Sequence, residues 1–185
     1  MKKLPLWAPS ADKKARIPAA NIAIIAVCGA LLYVSQVAFS FLPNIELVSP
    51  LIILYTRHLK RLTLPAIYVF AMIEGLTYGF GLWWVAYLYV WTVLYGVAAL
   101  VERYSGGSSN PFLWAVIAAL FGLFFGLLCS VPYFFTLGFG GGVSYFLSGI
   151  PFDFLHCGGN FITTLVLFLP LDKLFGKIRS YAQKE

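Results

Sequence analysis

Apolar residues run along this chain in long blocks, interrupted only by short groups of charge, proline or glycine. Taking the interruptions as ends, the pattern predicts helices over residues 18–41, 45–55, 62–78, 82–101, 111–137 and 151–170. The first, fourth and fifth blocks meet the length of about 20 residues that a bilayer crossing needs, whereas the second is short. Residues 144–150 are apolar enough to be membrane-buried, yet Pro151 suits the first turn of a helix. The stretch from Pro151 to Pro170 alone gives roughly 30 Å of helix. Residues 144–150 therefore read either as an outer cap or as a kinked extension of the sixth span.

Charge orients the blocks. Lys2, Lys3, Lys13, Lys14 and Arg16 precede span one, and Arg57, Lys60 and Arg61 join spans two and three. Arg103 joins four and five, and Lys173, Lys177, Arg179 and Lys184 follow span six. The alternate loops, 40–44, 79–81 and 138–144, contain neither Lys nor Arg. Cytoplasmic loops carry the excess of basic residues, so the expected fold is an all-α integral membrane protein with six transmembrane helices and both termini cytoplasmic. A basic cytoplasmic tail, 1–17, leads into a six-helix domain, 18–171, and a second basic tail, 172–185. The first block continues without a small-residue cleavage site, so it reads as a retained span and not a removed signal peptide.

Composition narrows the function. Of 185 residues, 61% are hydrophobic and 11% charged, against about 45–50% and 25% in soluble domains. Six spans leave no room for an extramembrane catalytic, ATP-hydrolysing or nucleic-acid-binding domain. The net charge of +6 thus reports orientation in the bilayer and no nucleic-acid partner. Cys28, Cys129 and Cys157 lie inside apolar blocks and read as small apolar fillers. The chain has no phosphate-cradling Gly-rich loop, no His-Glu-x-x-His, no acidic pair spaced for a metal and no Gly-x-Ser-x-Gly elbow. Neither an enzyme activity nor a cofactor nor a metal site is expected, and any energy for transport must come from an ion gradient or a partner's ATPase.

The ionisable residues inside or at the outer edge of the spans are Glu46, Glu74, Asp153 and His156. Such groups are costly in lipid and tend to face the bundle interior and mark a site. Spacings of three and four place Asp153, His156 and Asn160 on one helical face. Two readings stay open for each. Asp153 either complements a helix N-terminus after Pro151 or contacts a ligand. Glu46 is either a first-turn carboxylate at the interface or a ligand contact. Glu74 lies away from any predicted end and points to a pocket or internal partner. His156 and Asn160 serve equally as interhelical hydrogen-bonding groups.

Aromatic residues gather in the same half. Tyr78, Trp84, Tyr87, Trp91 and Tyr133 are candidate ligand contacts, against the simpler reading of an interfacial belt. Trp84, Tyr87 and Trp91 share a face by three-and-four spacing, and rings beside carboxylates suit a flat, nitrogen-bearing ligand. Small residues mark two further stripes. Ala26 and Ala30, extended by Ala19 and Ala23, lie on span one, and Gly122 and Gly126 on span five, where the spacing reads as helix packing.

The stretches Ala26-Val-Cys-Gly-Ala30, Leu42-Pro-Asn-Ile-Glu-Leu-Val-Ser49, Glu74-Gly-Leu-Thr-Tyr-Gly-Phe-Gly-Leu-Trp-Trp84 and Gly149-Ile-Pro-Phe-Asp-Phe-Leu-His-Cys-Gly-Gly-Asn-Phe161 resemble the substrate-binding S components of energy-coupling factor (ECF) vitamin transporters. The resemblance covers nearly all of the chain from about residue 18. It implies an outward-facing pocket built by spans four to six and closed by outer loops, here 40–44 and 138–144. It implies docking through Ala26 and Ala30 on a transmembrane coupling protein that carries two cytosolic ATPases, with ATP hydrolysis toppling the S component to release its ligand inside. The family's nickel and cobalt branch resembles a chain beginning Met-His, whereas this one begins Met1-Lys2, so a metal cargo is not expected. Three outer-half acids without a Lys or Arg disfavour an anion, leaving a neutral or cationic, aromatic vitamin or precursor. Two other classes compete. One is a self-sufficient proton-coupled carrier with Glu74, Asp153 and His156 as relay, although no inverted repeat is visible. The other is an intramembrane enzyme using His156 and Asp153, which lacks a recognisable nucleophile.

Overall fold

The computed structural model describes the backbone of residues 18–182 and the side chains of residues 18–177. The tail residues Lys2, Lys3, Lys13, Lys14, Arg16 and Lys184 lie outside the described residues, as does the Arg179 side chain. Within them every regular element is helical. α1 is Ala19–Ala38, α2 Val48–His58, α3 Thr63–Tyr78, α4 Leu82–Tyr104, α5 Pro111–Leu123, α6 Phe125–Thr136 and α7 Gly138–Ala182, with one 3-10 turn, Lys60–Leu62, between α2 and α3. Four stretches are long and apolar enough to cross a bilayer: Ala19–Ala38, Leu82–Tyr104, Pro111–Thr136 and Gly138–Lys177. Ile22, Leu76, Phe112, Phe135, Ile162 and Val166 all face outward, an apolar exterior consistent with a membrane protein.

Three boundaries depart from the hydropathy pattern. The block at 45–55 becomes α2, which starts at Val48 and has 11 residues, roughly 16 Å of helix and too short to cross. It survives by being enclosed, since every residue from Ile52 to Arg57 is buried. The block at 111–137 breaks at Phe124 into α5 and α6. Nothing in the run Leu123-Phe124-Phe125 announces this; the break is held from outside, by a carboxylate on α7.

The third departure concerns the Gly-rich segment 138–144, expected as a loop and lid. It forms the first turns of α7, which continues through Pro151 and Pro170 as one 45-residue helix, so residues 144–150 are a helical extension and not a cap. The reversal is confined to Leu137 and Gly138, where Gly138 takes φ +73°, a left-handed conformation that glycine adopts without strain. Gly142 permits close packing of α7 on α6, because a Cβ there would overlap the Phe134 ring. Gly122 and Gly126 do the same, bringing α5 and α6 against His156 and Asp153.

One buried cation ties the helix ends together at the basic end of the bundle. Arg57, at the end of α2, pairs with Glu102 on α4 and with Asp172 on α7 at 3.1 Å, and donates to the Ser108 carbonyl at 2.9 Å. Its guanidinium lies over Trp114 and Phe168, 5.2 and 5.3 Å from the ring centroids. His58 meets Asp172 at 2.8 Å. Lys60, Arg61, Arg103 and Lys173 lie within a few residues of this network, so the described basic residues collect at one end as their spacing predicts. Arg57→Met should leave two carboxylates without their shared cation and cost about 3 kcal/mol, read as a lowered unfolding midpoint in detergent; an unchanged midpoint would show that the network contributes little.

Candidate functional site

The opposite end of the bundle holds a cavity of about 490 Å³, within the range of small-molecule sites. Its rim is the non-helical segment between α1 and α2, with Phe39, Ser40, Leu42 and Pro43 facing the space. Asn44 fixes this segment: it takes φ +55° and donates through Nδ2 to the Phe152 carbonyl of α7 at 3.0 Å. The expected lid segment 40–44 therefore borders the cavity, and the expected lid segment 138–144 does not.

Two carboxylates and an imidazole supply the polar wall. Glu46, just before α2, accepts from the Ser49 backbone N–H at 2.9 Å and from the Ser49 hydroxyl. This satisfies an amide that the start of a helix leaves without an intrahelical partner. The same carboxylate meets His156 Nε2 at 3.2 Å. Glu46 thus caps α2 and also borders the cavity. Asn160 extends the set inward, donating to Ser49 Oγ at 3.1 Å and to the Ala118 carbonyl at 3.2 Å. It is fully buried, borders neither this cavity nor the smaller one around Asp153, and leaves its Oδ1 without a partner.

Glu74 stands on the α3 side of the cavity, 2% exposed, with Oε1 lacking any partner. Trp91 Nε1 and His156 Nδ1 are likewise buried and unpartnered, and both residues border the same space. Buried polar atoms are nearly always hydrogen-bonded, so an acceptor and a donor without partners on residues that border one cavity are groups a bound molecule would satisfy. Such a molecule would donate to Glu74 and accept from Trp91.

The remaining wall is aromatic. Trp83, Tyr87 and Trp91 succeed one another at four-residue intervals on α4, with edge-to-face contacts of 5.3 and 5.5 Å. Trp91 packs on Phe125 at 5.4 Å and Phe125 on His156 at 4.7 Å. Gln36 on α1 closes the platform, donating to the Tyr87 hydroxyl at 3.2 Å.

Of the sequence candidates, Glu46, Glu74, Tyr78, Tyr87, Trp91 and His156 meet at this cavity. Trp84 turns away, donating through Nε1 to the Ala71 carbonyl at 2.8 Å and packing against Phe80. Tyr133 stacks on Tyr145 with ring centroids 3.9 Å apart. Asp153 borders a separate cavity of about 340 Å³. The site is also broader than spans four to six, since α1 and α3 contribute walls. Trp83, Gln36 and Phe125 are the residues that sequence reasoning missed. Gln36 carried a signal, an amide within an apolar block; Phe125 carried none.

No protein-family model matches the chain, and neither a curated protein nor a solved structure matches it. The functional reading therefore rests on the residues and their geometry. For a small molecule seated in this cavity, Trp83→Ala should weaken binding about tenfold through the lost ring contact. Trp84→Ala should instead lower the unfolding midpoint and leave affinity unchanged. Titration of both variants checks this, and the reverse pattern would move the platform to the other face of α4.

Proposed function

We propose that this chain is the substrate-binding subunit of an ATP-driven importer of the ECF type. In this reading it makes six spans with both termini cytoplasmic, and it captures a vitamin or vitamin precursor from outside. One observation carries the reading: a rimmed cavity at the end away from the basic residues, with a ring platform on one side and unpartnered donor and acceptor atoms beside it. Glu46 and Glu74 border that space and no Lys or Arg does, which favours a neutral or cationic aromatic ligand over an anion. The acyl chains that the exposed apolar surface would meet are those of the cell membrane.

The Ala stripe on α1 supports the partner side of the proposal. Cys28, Gly29 and Leu32 face the bundle, with Gly29 close against Val69 and Ala66, while Ala19, Ala23, Ala26 and Ala30 are all exposed. Among the described residues the stripe is left exposed, and small residues at this spacing let a second helix approach closely. A coupling protein with two cytosolic ATPases is the partner this reading requires.

Mass spectrometry of what co-purifies with the protein tests the ligand directly; a heteroaromatic, vitamin-sized molecule is the expected result. Ala26→Leu or Ala30→Leu should abolish ATP-driven uptake while leaving affinity for that molecule intact, and loss of binding would instead assign the stripe to packing. The Glu46–His156 pair and Glu74 also suit a proton-coupled carrier. Accumulation of the molecule in liposomes containing this chain alone, driven by a pH gradient, would overturn the subunit reading in favour of that carrier.

A further inference from the structure

Behind the main cavity lies the second one, and the two have Asn44 and Phe125 as common walls. His156 borders the first and Asp153 the second; three residues apart on α7, they are separated by roughly 4.5 Å along the helix axis. The chambers are therefore neighbours across one side-chain layer, Phe125 with Asn44.

Asp153 is the polar centre of the smaller chamber. It is 4% exposed, and its two oxygens differ. Oδ1 accepts from the Gly126 N–H at 2.8 Å, one of the amides that the break at Phe124 leaves without a helical partner. Oδ2 has no partner at all. Capping α6 needs a single acceptor, which a neutral amide would provide, whereas a buried carboxylate with one free oxygen carries a desolvation cost that an unfilled chamber does not offset. The nearby side chains do not meet that need. Tyr145 is stacked on Tyr133, Ser148 donates to the Ser144 carbonyl at 2.8 Å, and no Lys or Arg borders the chamber. A ligand seated in the chamber would bring that donor.

Resting on the ligand-binding reading above, we infer that the ligand is two-part: a flat heteroaromatic body in the larger chamber, and a short arm ending in an ammonium or hydroxyl that passes between Asn44 and Phe125 to Asp153 Oδ2. The body answers to Glu74 and Trp91, and the arm answers to Asp153. Specificity among ring-bearing molecules is then set by the smaller chamber, through the length of the arm and its donor.

Indole and tryptamine form a matched pair of probes, with the same ring and with or without a two-carbon arm ending in ammonium. Calorimetric titration of the full chain in nanodiscs should show tryptamine binding about tenfold more tightly than indole, the contribution of one charge-assisted hydrogen bond. Asp153→Asn keeps an acceptor for Gly126 and should erase that advantage while leaving indole affinity unchanged. Gly149→Leu gives the same readout without touching the carboxylate, because a side chain at Gly149 enters open space bordering the smaller chamber. Equal affinities in the unaltered chain, or an arm advantage that persists in both variants, would overturn the two-chamber inference and leave Asp153 as a helix cap alone. Failure of both probes to bind the unaltered chain, or indole affinity indifferent to Glu74→Gln, would instead sink the ring-platform reading on which the inference rests.

Discussion

The hydrogen bond from Gly126 N–H to Asp153 fixes the geometry on which the site depends. Without it, the uninterrupted apolar run from Pro111 has no reason to break at Phe124. With it, the first turn of α6 gains an acceptor for an amide that a buried helix start cannot leave bare. The break also sets Phe125 between the two chambers and against His156. Gly126 is small for the same reason, since any Cβ there would overlap the Asp153 carboxylate. One side chain thus determines a helix boundary, a chamber wall and the position of its own free oxygen.

Glu46 repeats the device at the start of α2. Its carboxylate satisfies the Ser49 amide and then faces the cavity with His156 as partner. In an apolar surrounding a helix that begins mid-bundle must find its acceptors from side chains, and a carboxylate supplies two oxygens where one suffices. Both oxygens of Glu46 accept from Ser49, and Oε1 meets His156 as well. For Asp153 the oxygens divide, Oδ1 accepting from Gly126 and Oδ2 having no partner. Asp153 departs from expectation only in whose helix it caps, since α7 runs on past Pro151 and the amide belongs to α6.

Hydropathy blocks made most of the helices legible: α3 begins and ends where charge and Gly interrupt an apolar run, and α1 and α4 begin after Pro18 and Gly81, although α1 stops at Ala38 inside its block and α4 runs past Glu102 and Arg103 to Tyr104. The break in α5–α6 was not legible, and the unity of α7 was legible only as one of two readings, since both depend on contacts between segments distant in sequence. The Gly cluster at 138–144 reads locally as a flexible loop, yet glycine also permits close helix packing, and the approach of Phe134 to Gly142 decides between them. The ring platform shows the limit of periodicity. Trp83 and Trp84 both fall within the arc shared with Tyr87 and Trp91, and a 3.6-residue period does not choose between neighbours. The choice is made by the Ala71 carbonyl, which takes the Trp84 N–H and turns that ring away.

Charge segregation determines what the cavity end can recognise. Of the described acids, Glu102 and Asp172 are consumed at the basic end by Arg57, while Glu46, Glu74 and Asp153 lie at the other. Only His156 accompanies them there as a possible cation, and it is engaged with Glu46. The described Lys and Arg gather at the Arg57 end, and none borders either cavity. Glu74 and Asp153 are left with open oxygens in a low-dielectric surrounding, where a donor is worth most. On the proposed reading, a preference for hydrogen-bond donors and cations would follow from this sorting of charge as much as from the residues that border the cavities.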